Sequence, residues 1–225
     1  MENNKKNANK FLAGGAVFAV LFLIWIALIK LVDVSAIGPE GTEVGLAGIN
    51  KAIHEALGVN MTLYKITDIL GYVALLVAGL FALFGLVQLI KRKSLAKVDG
   101  AIYALAGLYV VTIGLYVIFE KVIINYRPVV MPDEVALEAS FPSSHTMLAC
   151  VIFGSAIVMI GKYIDNDMLR KLLIALAAVL LILVVAGRLV SGVHWFTDIV
   201  GSVLFSAGLF CIYKAIIMKI IKENQ

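Results

Sequence analysis

Charged residues are scarce in this chain of 225 residues, since only 15% are Asp, Glu, Lys or Arg whereas 62% are hydrophobic. A soluble domain is about a quarter charged and about half apolar, so this chain has too few polar groups to cover the surface of a soluble fold. The same composition excludes a disordered chain and a collagen-like one. We therefore expect an all-α polytopic membrane protein.

Cysteines and metal-ligand clusters are also nearly absent. The two cysteines, Cys150 and Cys211, lie inside apolar runs, where cysteine behaves as a small hydrophobic residue. They fit neither a disulfide framework nor a metal site, and no cluster of His, Asp or Glu has ligand spacing. The sequence therefore predicts no metal and no cofactor. The net charge of +4 is attributed to membrane topology rather than to a nucleic-acid partner.

Long hydrophobic runs are what the chain has in abundance. A helix that crosses the hydrocarbon core needs about 20 mostly apolar residues. Six stretches qualify: Phe11–Val32, Ile66–Ile90, Ile102–Ile124, Ser144–Ile160, Leu172–Leu189 and Phe196–Met218. The first is longer than the apolar core of a signal peptide, so we interpret it as a retained helix. We predict a six-transmembrane-helix bundle in which residues 1–225 form one domain.

The cations indicate how this bundle is oriented. With six spans both termini lie on the same side, and that side holds about two thirds of the 19 lysines and arginines. Positive charge accumulates in cytoplasmic loops. We therefore expect a cell-membrane protein with cytoplasmic termini and with outer segments at 33–65, 125–143 and 189–195.

The first outer segment contains a helical pattern of its own. Apolar residues recur at three- and four-residue spacing with polar residues between them: Leu46, Ile49, Ile53 and Leu57, against Asn50, Lys51 and Glu55. This pattern predicts a short amphipathic helix that lies on the membrane surface or caps the bundle. His54 on this helix is expected to be solvated. Asp133 and Glu134, in the second outer segment, are interpreted as part of a solvated loop rather than as a catalytic pair.

Ionisable residues, which are costly in a bilayer, gather near the outer ends of the third to sixth spans. They fall into three segments: Lys121 with Arg127-Pro128, then Pro142-Ser143-Ser144-His145, then Arg188 with His194 and Asp198. Three cations at one membrane surface indicate an anion of concentrated charge, because guanidinium groups match phosphate oxygens. A proline followed by two serines is typical of a helix start, where backbone amides bind anions. The segments therefore predict a phosphate site.

Two histidines in these segments indicate the chemistry. His194 and Asp198 are four residues apart, so on one helix they share a face and can form a hydrogen bond. A carboxylate on one imidazole nitrogen fixes the tautomer and raises the basicity of the other nitrogen. His194 is therefore the predicted nucleophile, and His145 the group that protonates a leaving oxygen. The set matches metal-independent phosphoryl transfer through a phosphohistidine.

The three segments resemble the signature motifs of the type 2 phosphatidic acid phosphatase superfamily of membrane lipid phosphatases. The family pattern is Lys-x6-Arg-Pro, then Pro-Ser-Gly-His, then Ser-Arg-x5-His-x3-Asp. The motifs span about 121–198 here, and six helices with an outward site agree with the family. The resemblance implies His194 as nucleophile, Asp198 as its partner and His145 as acid. It also implies a phosphate held by Lys121, Arg127, Ser143, Ser144 and Arg188.

Three positions depart from the family pattern. Lys121 is one residue closer to Arg127, and Glu120 stands where the family has its lysine. A one-residue shift rotates a side chain by about 100° on a helix, a difference that a helix break before Arg127 would absorb. Ser144 replaces the usual glycine, and Gly187 replaces the usual serine. None of these departures removes a proposed proton-transfer group.

The resemblance implies a lipid phosphatase that acts at the outer leaflet on a phosphate monoester or diphosphate. Undecaprenyl diphosphate, the recycled carrier of cell-wall synthesis, is the first candidate substrate because similar bacterial enzymes act on it. Phosphatidic acid and phosphatidylglycerol phosphate are alternatives. The rival from another class is a non-hydrolytic lipid or anion transporter, favoured only by the altered position of Lys121. The expected partners are the lipid substrate and membrane lipids, and the sequence does not indicate an oligomeric state.

Overall fold

A computed structural model describes residues 2–131 and 136–223 of the chain, with side chains over 6–131 and 136–220. Within those ranges the structure is helical apart from loops and two isolated β-bridges. The α-helices there are α1 (Glu2–Leu31), α2 (Ala47–Leu57), α3 (Met61–Arg92), α4 (Gly100–Lys121), α5 (Ser144–Tyr163), α6 (Asp167–Val190) and α7 (Phe196–Glu223). All except α2 are long and apolar enough to cross a membrane, which confirms the predicted all-α class and six spans. Asp133 and Glu134 lie outside the described residues.

Two of the spanning helices begin earlier than their apolar runs, because polar residues cap their first turns. Asn60 precedes α3, and its side-chain oxygen accepts the backbone N–H of Leu63 at 2.9 Å. Asn166 does the same for Leu169 at the start of α6, also at 2.9 Å. Such caps satisfy amide groups that a first helical turn leaves unpaired. Hydropathy detects only the apolar part of a helix, so the predicted starts of these two helices are late.

Helix α5 forms the centre of the bundle. It packs against α3, α4, α6 and α7, and its buried residues include Met147, Phe153 and Met159. Helix α1 packs along α7, where an added Cβ on Gly15 would lie 3.4 Å from the carbonyl oxygen of Gly208. The outer faces of the helices expose large apolar side chains, as expected of helices surrounded by lipid.

The predicted amphipathic helix is α2, and it packs against α7. Its faces differ from the prediction. Asn50, expected among the polar residues, is completely buried and bonds Thr197 through both its amide nitrogen and its oxygen. His54, expected to be solvated, is partly buried with its ring 5.4 Å from that of Trp195. The physical reason is that the first turn of α7 has backbone amides without helical acceptors, and Asn50 supplies an acceptor to one of them.

Candidate functional site

The three motif segments meet at the end of the bundle where α4 ends and α5 and α7 begin. The connection between α4 and α5 folds back on itself, with Ser140 N–H donating to Asn125 O at 2.9 Å. This end of the bundle contains a cavity of about 380 Å³. Polar residues in its lining are Tyr116, Glu120, Arg127, Glu138, Ser140, Ser144, His145 and His194. Among the described residues, no group of three or more His, Cys, Asp or Glu side chains is arranged to hold a metal ion.

His194 lies in the turn between α6 and α7, with its side chain almost completely buried. Its Nε2 has no hydrogen-bond partner in the part of the chain that the structure describes. Its Nδ1 lies 3.0 Å from Ser140 Oγ but 3.8 Å from Asp198 Oδ2. The expected direct bond to Asp198 is therefore replaced by a bridge through Ser140, whose hydroxyl donates to Asp198 Oδ2. The reason is that α7 begins at Phe196, so His194 and Asp198 do not share one helix face.

Asp198 is completely buried and is held by several donors. Its Oδ2 accepts the backbone N–H of Trp195 at 2.9 Å, a contact by which an acidic residue in the first turn caps a helix. Its Oδ1 accepts from Asn125 Nδ2 at 3.1 Å. The carboxylate is thereby a fixed acceptor for the Ser140 hydroxyl. Neither Ser140 nor Asn125 is predictable from the sequence, because no regular spacing links them to the histidine motif.

The surroundings of His194 determine its protonation. Burial lowers the pKa of His194, and the charges of Arg127 and Arg188 act in the same direction, against the Asp198 carboxylate, which raises it. Because Ser140 donates its own proton to Asp198, its oxygen accepts the Nδ1–H of a neutral His194. Nε2 then retains its lone pair. The geometry thus holds the tautomer that a nucleophilic Nε2 requires.

Arg188 is completely buried near the end of α6. Its Nη2 donates to Asp68 Oδ1 at 2.7 Å, and its guanidinium carbon lies 4.6 Å from the ring centroid of Tyr64. Its Nε and Nη1 have no partner among the described residues. Buried donors are nearly always hydrogen-bonded, so these two nitrogens indicate a site for an anion.

Arg127 contributes a second guanidinium. Its Nε lies 2.8 Å from Glu138 Oε2, an ion pair whose angles are not those of a hydrogen bond. Its Nη1 is buried and has no partner within residues 2–131 and 136–223. Both arginines are close enough to His194 for their charges to act on it. The structure therefore brings Arg127, Arg188 and His194 together at one end of the bundle.

Helix α5 begins at Ser144, with Ser143 as its N-cap residue. The Ser143 hydroxyl is buried and has no partner in the described structure, and Ser144 lines the cavity. His145 Nε2 lies 2.9 Å from Asp68 Oδ1. Gly71 of α3 makes room for this ring, because an added Cβ there would lie 2.7 Å from His145 Cδ2. The helix start thus places the proposed acid next to the cavity.

The position of Lys121 differs from the prediction. Helix α4 continues to Lys121, so the helix break comes too late to rotate this side chain toward the site. Lys121 is exposed, and among the described residues it is the neighbouring Glu120 that lines the cavity. The structure therefore does not support phosphate binding by Lys121, and it places an acidic side chain in that part of the site.

Gly187 has a packing role where α3 and α6 meet. An added Cβ there would lie 2.4 Å from Thr67 Cγ2, so the serine of the family pattern does not fit. The close approach of the two helices brings Asp68, the residue after Thr67, to Arg188. Asp68 was not among the predicted site residues, although an acidic residue inside an apolar helix is itself a functional signal.

An apolar groove of about 470 Å³ lies between α3, α4 and α5. Apolar residues in its lining are Gly71, Leu75, Ala78, Ile113, Leu148, Val151 and Ile152. Tyr116, Ser144 and His145 line both the groove and the polar cavity, so the two spaces adjoin at these residues. An amphiphile with its polar head in the cavity would have its chain in the groove.

Comparison with known proteins places this geometry in a family. Residues 100–222 match the model of the PAP2 superfamily, and the match includes all three motif segments. The fold is similar to that of a transmembrane PAP2 type phosphatidylglycerolphosphate phosphatase from Bacillus subtilis, with a TM-score of 0.63 and 21% sequence identity. The similarity covers 94% of this chain and 96% of that one. No curated protein matches the chain.

Proposed function

The chain belongs to the PAP2 superfamily, and on this premise we propose that it is a membrane lipid phosphatase that hydrolyses a lipid phosphate through a phosphohistidine. The observation that carries the proposal is a set of unpaired polar atoms. His194 Nε2, Arg127 Nη1, and the Nε and Nη1 of Arg188 have no hydrogen-bond partners among the described residues. A nucleophile beside two cationic donors is what transfer of a phosphoryl group needs.

In the first half-reaction, His194 Nε2 attacks the phosphorus of the substrate. The N–P bond forms as the bond to the leaving oxygen breaks, and His145 gives that oxygen a proton. The N–H groups of Arg127 and Arg188 stabilise the charge on the equatorial oxygens. The bridge through Ser140 stabilises the positive charge that develops on the His194 ring.

In the second half-reaction, water attacks the phosphorus of the phosphohistidine. His145, now neutral, accepts a proton from this water. The N–P bond then breaks and inorganic phosphate leaves. His194 returns to its starting tautomer, and His145 has regained the proton that it gave up. Both proton transfers are thereby assigned to one histidine.

The lipid chain of the substrate is proposed to lie in the apolar groove, with its phosphate in the adjoining cavity. This placement follows from the residues that line both spaces, which include His145. The distribution of positive charge predicts that this end of the bundle is outside the cytoplasm. We therefore propose that the enzyme acts at the outer leaflet of a cell membrane, with both termini in the cytoplasm.

Two lipids are the leading candidate substrates. Undecaprenyl diphosphate is the first, from the resemblance of the motifs to bacterial enzymes that act on it. Phosphatidylglycerol phosphate is the second, because the solved structure of similar fold is a phosphatidylglycerolphosphate phosphatase. The negative charges of the site also favour a phosphate monoester. Glu120 and Glu138 line the cavity, and they repel a diphosphate more strongly than a monoester because the diphosphate carries more negative charge.

Phosphate release from a panel of lipids tests the proposal. Purified protein in detergent with EDTA is given undecaprenyl diphosphate, phosphatidylglycerol phosphate and phosphatidic acid, and a His194→Gln preparation provides the background. We expect release above that background from at least one lipid. No release from any lipid, together with movement of a phosphate-bearing lipid across liposomes, would overturn the proposal in favour of a non-hydrolytic transporter.

Ser140→Ala should lower phosphate release about ten- to a hundredfold, because a hydrogen bond to a group that becomes charged is worth about 1.5–3 kcal/mol. The substitution removes the acceptor of the His194 Nδ1–H and leaves Asp198 3.8 Å away. Rates are measured with the best lipid substrate. Ser155→Ala removes another buried hydroxyl, which bonds Tyr109, and should change the rate little. Equal losses of rate in Ser140→Ala and Ser155→Ala would contradict the hydrogen-bonded bridge through Ser140.

Substitutions at the end of α4 test the charge of the cavity. Glu120→Gln should lower KM about fivefold, because removing a like charge from a partly solvated phosphate site is worth about 1 kcal/mol. Lys121→Ala should leave KM nearly unchanged, because that side chain is not among the described ones that line the cavity. KM is measured at low salt, where such effects are largest. A large rise in KM with Lys121→Ala and no change with Glu120→Gln would return Lys121 to the phosphate site.

A further inference from the structure

Asp68 is an acidic residue that has no role in either of the two proposed half-reactions. It lies on α3, which contains no other Asp or Glu over Met61–Arg92. An ionisable side chain inside a membrane helix is costly, so its presence indicates a function. Asp68 lines the apolar groove, and 32% of its side chain is exposed.

A single oxygen of Asp68 contacts two residues of the site. Oδ1 accepts a hydrogen bond from Arg188 Nη2 at 2.7 Å and lies 2.9 Å from His145 Nε2. The contact with Nε2 has the distance of an ion pair but not the angles of a hydrogen bond. A carboxylate has no proton to donate, so its charge favours a proton on Nε2. Asp68 therefore favours the tautomer of a neutral His145 that carries its proton on Nε2.

The ring of His145 is turned with its Cδ2–Nε2 edge toward α3. An added Cβ on Gly71 would lie 2.7 Å from Cδ2 and 3.2 Å from Nε2, so this edge packs on α3 beside Asp68. Nδ1 is on the opposite edge, where it is buried and has no hydrogen-bond partner in the described part of the chain. Nδ1 is therefore the nitrogen that remains for a leaving oxygen.

We infer that Asp68 positions His145 as the general acid: it holds the Nε2–H, stabilises the protonated ring and leaves the Nδ1–H for the leaving oxygen. The inference rests on the proposed function. When Nδ1 gives its proton to the leaving oxygen, the bond from phosphorus to that oxygen breaks and phosphorus becomes bonded to His194. The ring of His145 is then neutral, and its Nε2–H remains next to the Asp68 carboxylate.

The charges around His145 explain why a carboxylate is needed there. The other ionisable groups near the ring are Arg127, Arg188 and His194, with Tyr116, Glu120 and Glu138 in the lining of the cavity. The two arginines repel an added proton on the ring, and His194 does so when it is charged. Asp68 is the carboxylate within hydrogen-bond distance of the ring, at 2.9 Å, where its stabilisation of a charged imidazole is strongest.

Leaving groups of different basicity separate this role from a structural one. An alkoxide needs a proton to depart, whereas nitrophenolate departs without one. Asp68→Asn should lower phosphate release from a lipid alkyl phosphate about ten- to a hundredfold, which is part of the roughly hundred- to ten-thousandfold that a general acid contributes. Release from nitrophenyl phosphate should fall much less. His145→Ala should show the same preference with a larger loss. In the His145→Ala background, Asp68→Asn should cause little further loss.

The ratio of the two rates, measured on one preparation, does not depend on the fraction of protein that is folded. Asp99→Asn is the matched control, because Asp99 also contacts a cation, Lys162 at 3.6 Å, but at the other end of the bundle. Its ratio should equal that of the wild type. Equal losses on both esters with Asp68→Asn, or independent losses in the double variant, would overturn the inference alone. Absence of phosphate release by the wild type would overturn the proposed function and the inference with it.

Discussion

Substitution of His194 by glutamine should lower phosphate release at least about a thousandfold, as expected for removal of a nucleophile. Glutamine keeps a polar side chain of similar length but does not form a covalent bond to phosphorus, so the proposed reaction loses its first step. Ser140 and Asp198 can keep their own hydrogen bond, and the Asp198 carboxylate can still accept the backbone N–H of Trp195 at the start of α7. The expected loss is therefore chemical rather than structural.

Rapid mixing with a lipid that carries a radioactive phosphate tests this expectation directly. A phosphohistidine is labile in acid and stable in base. The wild type should carry such a label during turnover, and the His194→Gln variant should carry none. His54→Gln is the matched control, because His54 is another partly buried histidine, near Trp195, and it should keep both label and activity. Equal phosphate release by the wild type and His194→Gln would disprove the proposed nucleophile.

Substitution of Arg188 by lysine should lower kcat about a hundred- to a thousandfold although the charge is kept, because a lost donor to the transition state has this effect. The guanidinium uses Nη2 for Asp68, and Nε and Nη1 have no partners among the described residues. Lysine has one nitrogen in place of three. The single ammonium group of lysine therefore does not donate to Asp68 and to the phosphate at once, as the separate nitrogens of the guanidinium do.

Phosphate release and thermal unfolding in detergent should both respond to Arg188→Lys. The guanidinium lies 4.6 Å from the ring of Tyr64, a contact worth about 1–2 kcal/mol in a desolvated position, and lysine keeps only part of it. Arg170→Lys is the matched control, because Arg170 pairs with Asp167 at the other end of α6, and it should change neither measurement. A wild-type kcat in Arg188→Lys would remove Arg188 from the transition-state site.

The spans and the residues of the motifs were open to prediction for identifiable reasons. Each span needs about 20 apolar residues however the helices pack, so composition along the chain is sufficient to find them. His145, Arg188 and His194 are ionisable groups at the ends of apolar helices, where such residues are costly without a function. Six alternating spans then bring the motif-bearing ends to one side of the membrane.

The partners of those residues were not open to prediction in the same way. Spacing arguments connect residues within one helix, whereas the important contacts join different elements. Arg188 meets Asp68 from 120 positions away in the sequence, and His194 meets Ser140 from 54 positions away. Lys121 was assigned to the site, whereas its neighbour Glu120 lines the cavity, because one position along a helix changes the direction of a side chain by about 100°.

The sequence alone predicted a bundle of six membrane helices and the residue types that lie at its motif-bearing end. It did so because hydrophobic length and the cost of buried charge are local properties of the chain. The contacts between these residues appeared only in the folded structure: Ser140 lies between His194 and Asp198, and Asp68 lies between His145 and Arg188. These pairs depend on distances between elements that pack together, and hydrogen-bond energies fall steeply with such distances, so no pattern along the chain contains them.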